Sequence, residues 1–293
     1  MKRATPQSTC VLAVGGGKGG TGKSLLVVQL GVLFAQQGLK TVMVDASPHG
    51  ANLHSFLGLE DPEHTLDEVL AKECGVQEAV LPTGVPNLLL LPGMRVGLGL
   101  HEDPNLAAVA KQFMNIQADI VLWDVGSGVS DWSTYLMANA DVGVMVGVPD
   151  APSMECDYRF LRKVCRWFVA DQVPSSDVPP MDWLPASWLA RLQKKDSNLA
   201  QTLKEKLLNW RMLLLFNQVR SAEDKDLGNE VAAVCHRLLG ITCQPMGWLE
   251  YDERMWLAIR QRQPMVLAFP ESRWTIQLHG IFKELLPGVL SHR

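Results

Sequence analysis

No run of eighteen or more apolar residues occurs in this 293-residue chain, so a membrane-spanning helix is not expected. The opening residues, MKRATPQSTC, carry two bases but no apolar stretch of signal-peptide length before the first apolar run. A secretory leader is therefore not expected, and the reading is a cytoplasmic protein. Paired cysteines are also lacking. Cys10, Cys74, Cys156, Cys165, Cys235 and Cys243 form no C-x-x-C pair and no Cys/His cluster at metal-ligand spacing, which leaves reduced thiols rather than a zinc site or a disulfide frame. A basic excess is missing too, since the net charge is −4, against a chain built to coat nucleic acid. The charge is uneven: residues 1–150 hold 8 Lys and Arg against 15 Asp and Glu, while the remainder holds 19 against 16.

What is present is a long series of apolar runs alternating with helical patterns, in a chain that is 47% hydrophobic. Strands are expected at Cys10–Val14, Thr41–Asp45, Leu88–Leu91, Ile120–Asp124, Val142–Val148, Met212–Asn217 and near Pro245–Trp248, with helices between them. Strands apolar on both faces, separated by helices, predict an α/β fold: a doubly wound, mostly parallel sheet with helices on both faces. A single domain over residues 1–293 is expected, with an insertion at 171–210 that opens Pro-rich and continues as amphipathic helices at Trp188–Gln193 and Leu199–Trp210. Trp183, Trp188, Leu192, Leu203, Leu207 and Trp210 supply too much apolar surface for disorder. They serve either as a cap on the core or as a docking surface for a partner protein. The last helical pattern, Arg273–Leu286, reads as core-packing, with Pro287 following it. In the helix expected at Ser153–Val169, Arg159, Arg162, Lys163 and Arg166 fall on one stripe, either a solvated face or a contact for an acidic partner, a membrane surface or DNA.

The most specific signal is GGGKGGTGKS at Gly15–Ser24, between the first strand and the first helix. Gly17, Gly22, Lys23 and Ser24 satisfy G-x-x-x-x-G-K-[ST], a phosphate-binding loop. Its glycines, Gly17, Gly19, Gly20 and Gly22, let backbone N–H groups close on phosphates along with those of Thr21, Lys23, Ser24 and Leu25. Lys23 reaches the β and γ phosphates, and the Ser24 hydroxyl can ligate Mg²⁺. The N-terminal end of the following helix adds positive potential.

Lys18 is a second lysine inside this loop. With it, KGGTGKS resembles the deviant Walker A motif of the MinD/ParA family of nucleotide-dependent dimerising ATPases. The resemblance implies ATP and Mg²⁺ as cofactors, a P-loop NTPase fold and a nucleotide-sandwich homodimer. In such a dimer Lys18 would touch the nucleotide of the other subunit. Paired interface cysteines, which mark the iron–sulfur carriers and the tail-anchored protein targeting factors of the same superfamily, have no counterpart here.

Further stretches extend the resemblance. DASPHGAN (Asp45–Asn52) stands where the family has its switch I segment, and Asp45 matches the first aspartate, placed to hold a Mg²⁺-bound water. Ser47 replaces the second aspartate, which in relatives orients the attacking water. A hydroxyl is no anionic base at neutral pH, so hydrolysis is expected to be slow unless a neighbour such as His49 has taken over. Ile120–Asp124 followed by Gly128 resembles Walker B and a switch II glycine, with Asp124 on the Mg²⁺ shell and the Gly128 N–H near the γ-phosphate. VPDAPSMECDY (Val148–Tyr158) is similar to P-E-P-T-S-x-x-D-A-Y. FNQVRS (Phe216–Ser221) matches N-x-V-R-S, where Asn217 takes the place of an adenine contact. Gly247–Ser272 resembles G-x-I-x-x-D-x-x-V-x-x-A followed by a P and a P-x-S. The D-Q-A-x-x-L-R element of FlhG-type proteins and the membrane-docking helix of MinD-type proteins have no match.

The resemblance implies a MinD/FlhG-like switch, with Lys18, Lys23 and Asp45 as its catalytic residues and Ser24, Asp45 and Asp124 as its metal ligands. An unidentified protein partner is expected at 171–210 or at the Arg159–Arg166 stripe. Two alternatives stay open: a non-hydrolysing module locked by ATP, and a ParA-like partitioning ATPase bound to DNA.

Overall fold

A computed structural model describes residues 9–48, 50–95, 105–170, 172–180 and 182–291. In chain order, β1 (Cys10–Gly15) leads into α1 (Lys23–Gln36) and β2 (Thr41–Asp45). The short helices α2 (Leu53–Phe56), α3 (Leu66–Ala71) and α4 (Val76–Ala79) precede β3 (Leu81–Pro82) and β4 (Leu88–Leu91). Next come α5 (Leu106–Met114), β5 (Ile120–Asp124), α6 (Asp131–Asn139), β6 (Val142–Gly147) and α7 (Ala151–Ala170). Helices α8 (Pro185–Lys195) and α9 (Ser197–Asn209) then lead to β7 (Arg211–Val219), α10 (Leu227–Leu239) and β8 (Cys243–Glu250). The chain closes with α11 (Arg254–Arg260), α12 (Met265–Ala268) and α13 (Arg273–Leu290).

Among the described residues the strands form one eight-stranded sheet in the order β3-β4-β2-β5-β1-β6-β7-β8. Every neighbouring pair is parallel except β3 with β4. The period-2 alternation of a strand splits each apolar run between two cores. Leu12 and Val14 of β1 pack with α1 and α13 on one face, and Val11 and Ala13 pack with α6 and α7 on the other. Helix α1 is buried nearly all round, which explains why its sequence is apolar without a polar face. It ends in a Schellman turn, with Gly38 N–H donating to Ala35 O at 2.9 Å and Leu39 N–H to Phe34 O at 3.3 Å.

The expected strands and main helices are present, with differences at their ends. The two-residue strand β3 lies below what periodicity can detect. Helix α13 does not stop at Leu286 but runs through Pro287, because Val289 is fully buried and anchors the last turn. Helices α8 and α9 turn their apolar faces inward. Trp183, Trp188, Leu192, Leu203, Leu207 and Trp210 are all buried in the core shared with α7 and α10, with Trp183 edge-on to Trp188 at 5.6 Å. Of the two readings of these side chains, the cap on the core is the one realised. The basic stripe of α7 is likewise engaged locally. Arg159 pairs with Glu155, Lys163 with Asp131 at 2.8 Å, and the Arg166 guanidinium donates to Pro179 O at 2.8 Å.

Candidate functional site

The site lies at the carboxyl ends of the parallel strands, beside β1, where the chain order reverses between β5 and β6; open α/β sheets place their ligand crevice there. A cavity of about 520 Å³ opens at this point. Gly19, Gly20, Gly22, Lys23, Ser24 and Leu25 form its floor. The glycine-rich loop is shaped from beneath by α7. Gly17 donates its N–H to Asp157 Oδ1 at 2.7 Å, and a Cβ at position 17 would overlap the Cys156 carbonyl. Gly22 sits at φ 96°, a left-handed conformation open to glycine, and begins α1.

Lys23 is buried at the head of α1. Its ammonium spans the loop, donating to Lys18 O at 2.5 Å and to Thr21 Oγ1 at 3.1 Å. Burial pushes its pKa down, while the carboxylates of Asp124 and Asp157 oppose that shift. Lys18 is differently placed. Its ammonium forms a bidentate contact with Asp150 at the start of α7, at 3.0 and 2.9 Å, and it does not line the cavity.

Parallel pairing in register sets Asp45 at the end of β2 directly beside Asp124 at the end of β5. Both are fully enclosed. Burial first, and then the neighbouring Asp124, raises the Asp45 carboxyl to about 7, against the pull of backbone N–H donors from Leu53, Ser47 and Asn52. Asp124 is raised by burial as well, although the Ser24 hydroxyl, Gly126 N–H and Lys23 favour its charge. Its Oδ2 is buried without a hydrogen-bond partner. An orphaned carboxylate oxygen beside a second carboxyl and a serine hydroxyl is a hard, all-oxygen donor set, which fits Mg²⁺. Mg²⁺ takes only one or two carboxylates and fills its shell with phosphate and water.

Ser47 is buried and lines the same cavity. It packs against Gly126, so the segments after β2 and β5 touch. Gly128 donates its N–H to Gly16 O at 3.2 Å, and it is Gly126 and Ser127 that face the cavity. Asn217 also lines the cavity, yet its amide binds protein on both sides: Nδ2 donates to Thr21 O at 2.9 Å, and Oδ1 accepts from Trp274 Nε1 at 3.2 Å. His49 and residues 1–8 lie outside the described residues.

The structure thus brings Lys23, Ser24 and Asn217 to one cavity, buries Asp45 and Asp124 side by side outside its lining, and leaves Lys18 at its margin. Asp157 and Gln218 were absent from the sequence-derived site. Asp157, whose carboxyl burial raises to about 6, supports the loop from α7. In P-E-P-T-S-x-x-D-A-Y the D falls on Cys156, so Asp157, one place further on, carried no motif signal. Gln218 donates to Gly20 O at 2.8 Å and adopts φ 59° in a bulge of β7; it occupies the unspecified position of N-x-V-R-S, so the motif carries no signal for it.

A family model described as the CobQ/CobB/MinD/ParA nucleotide binding domain matches residues 12–264. The chain belongs to that family. Among relatives of this MinD/ParA-family chain, the antiactivator FleN of Pseudomonas aeruginosa is 24% identical over 280 residues, covering 94% of the chain and 85% of FleN. The septum site-determining protein MinD of Synechocystis is 30% identical over 146 residues, covering 48% of the chain and 53% of that protein, about half its length. In three dimensions the chain is similar to MinD of Pyrococcus horikoshii, solved in complex with Mg-ADP. The TM-score is 0.68 and the identity 20%, over 96% of this chain and 98% of that one. No described helix of this MinD/ParA-family chain is long and apolar enough to cross a membrane.

Proposed function

We propose that this chain is an ATP- and Mg²⁺-dependent switch that pairs with a second copy of itself when nucleotide is bound and regulates a partner in that state. The observation that carries the reading is the division of labour between two loop lysines. Lys23 is buried in the cavity and is placed to neutralise phosphate. Lys18 lies outside it, part-exposed and paired with Asp150, and on leaving that carboxylate it would meet a nucleotide other than the chain's own. Ser24, Asp124 and Asp45 would hold Mg²⁺, whose role is to neutralise charge on the phosphates. With Ser47 in place of a carboxylate, no anionic base stands at that position to orient water. General-base assistance is worth roughly 10²–10⁴ in rate, so turnover is slow and the ATP state long-lived. The alignment along nearly all of the chain with a protein named as an antiactivator favours a regulator that acts by binding.

Ser47 also favours a second reading, a module locked by ATP that does not hydrolyse it at all; phosphate release from purified protein separates the two. Three bases of the α7 stripe, Arg159, Lys163 and Arg166, hold partners within the chain, which weakens the case for a DNA-bound role. The main reading is tested by sizing the protein with ATP and Mg²⁺. The wild type should dimerise, and Lys18→Ala should bind ATP but remain monomeric. A wild type that stays monomeric, or a dimer indifferent to both ATP and Lys18, would refute it.

A further inference from the structure

In P-E-P-T-S-x-x-D-A-Y an acid is followed by alanine, whereas here Cys156 stands in the acid's place and Asp157 in the alanine's. One step along a helix turns a side chain by about 100°, so this carboxyl points where the pattern has only a methyl group. On α7 that direction is inward. Asp157 is buried under the phosphate loop, with Oδ1 accepting the Gly17 N–H at 2.7 Å and Oδ2 accepting the Ser153 hydroxyl at 3.3 Å. Gly16 lies between it and Lys23: a Cβ there would stand 3.3 Å from Asp157 Oδ1 and 3.6 Å from Lys23 Cδ.

A buried negative charge behind a phosphate loop works against the ligand. Gly17 needs an acceptor, but a neutral amide oxygen would serve it equally well, so the charge itself calls for an account. Lys23 faces the carboxyl from the loop, Asp150 from the head of the same helix, and Cys235 on α10 lies within electrostatic reach. Burial raises the Asp157 carboxyl to about 6, against the pull of Gly17, Ser153 and Lys23. A polyphosphate beside Lys23 would raise it further, because one anion disfavours the charged form of another.

We infer that Asp157 is a positioning residue with two opposed effects: its oxygen holds Gly17 in the shape that receives phosphate, while its charge engages Lys23 and weakens anion binding until the carboxyl takes up a proton. The inference rests on the nucleotide reading above. A neutral carboxyl still accepts from Gly17 through one oxygen and can donate from the other to Ser153 Oγ, so the loop keeps its support when the charge is gone. Nucleotide uptake is thereby coupled to proton uptake. Affinity is highest below about pH 6, falls as pH rises through the window between the free and the liganded carboxyl, and levels off above it.

Titration calorimetry with ADP and with inorganic tripolyphosphate in Mg²⁺ buffer, from pH 5 to 8, tests it. Asp157→Asn keeps an acceptor for Gly17 and removes the charge, so at pH 8 it should bind both ligands about tenfold tighter than wild type, and the two proteins should converge at pH 5. The comparison cancels the ligand's own titration and that of Asp45. Runs at pH 7 in two buffers of unlike ionisation enthalpy should show more proton uptake by wild type than by the variant. Asp157→Ala removes the acceptor as well, leaving the Gly17 N–H unpaired, and should bind about tenfold more weakly than Asp157→Asn. Weaker binding by Asp157→Asn at pH 8, a ratio to wild type that does not change with pH, equal proton uptake, or an Asp157→Ala that matches Asp157→Asn would overturn the assignment. A wild type that binds neither ADP nor tripolyphosphate would overturn the nucleotide reading, and this inference with it.

Discussion

The Asp45–Asp124 pair makes metal-free stability depend on pH in a direction opposite to that of ordinary carboxylates. Asp45 is raised from 3.8 to about 7 by burial and by Asp124. Between those values the folded chain holds a proton that the unfolded chain has released, so stability falls as pH rises through this window and levels off above it. A displacement of about three units at 1.36 kcal/mol each makes the loss as much as ~4 kcal/mol by pH 8. Asp157, raised to about 6, tilts the same way, while Glu68, Asp150, Glu250 and Asp252, which lie below their ordinary values, tilt the other. Comparing wild type with Asp45→Asn cancels these shared contributions. Urea unfolding in EDTA from pH 4 to 8 should show the two nearly level at the acid end and the variant more stable at the alkaline end. Mg²⁺ with nucleotide should then reverse the order, because an ionised Asp45 becomes useful only opposite a cation. A difference that does not change with pH, or a wild type that gains on the variant as pH rises without metal, would refute the reasoning.

Lys23→Ala removes a buried ammonium that faces Asp124 and Asp157, and it should weaken ATP by at least about a hundredfold in calorimetry; retained affinity would disprove the site. Ser47→Asp should raise single-turnover hydrolysis by roughly 10²–10⁴ in the presence of Mg²⁺. Without metal it should melt below wild type, because a third carboxylate then joins two whose charge is already disfavoured. A native rate matching that of the variant would end the slow-switch reading. Leu203→Ala, at a fully buried position on α9, should cost about 2–5 kcal/mol in urea melts and leave ADP affinity unchanged; a variant as stable as wild type would restore α8 and α9 as a surface for docking.

The sequence by itself determined the sheet and the loop that serves it. Apolar runs such as Thr41–Asp45, Leu88–Leu91 and Ile120–Asp124 appear as strands with the bounds expected of them, because burial on both faces leaves a local, continuous signal. GGGKGGTGKS could be read because its glycines and lysines act within ten consecutive residues. Asp45 and Asp124 could be paired in advance only by analogy, and it is strand register that makes them neighbours.

Tertiary structure alone decided what each polar group binds. Gly17 and Asp157 are 140 positions apart, Lys18 and Asp150 are 132 apart, and Thr21 and Asn217 are 196 apart. No periodicity carries information over such distances. The amide of Asn217 was legible as a site residue, but its partners Thr21 and Trp274 were not. Trp256 reads in sequence as one more apolar position of a short helix, and only the packing of α11 beside the cavity leaves it exposed there. The buried tryptophans of 171–210 show the same limit from the other side. Their composition demanded burial, and whether a partner or the chain's own core would provide it was settled by the surface that α7 and α10 present.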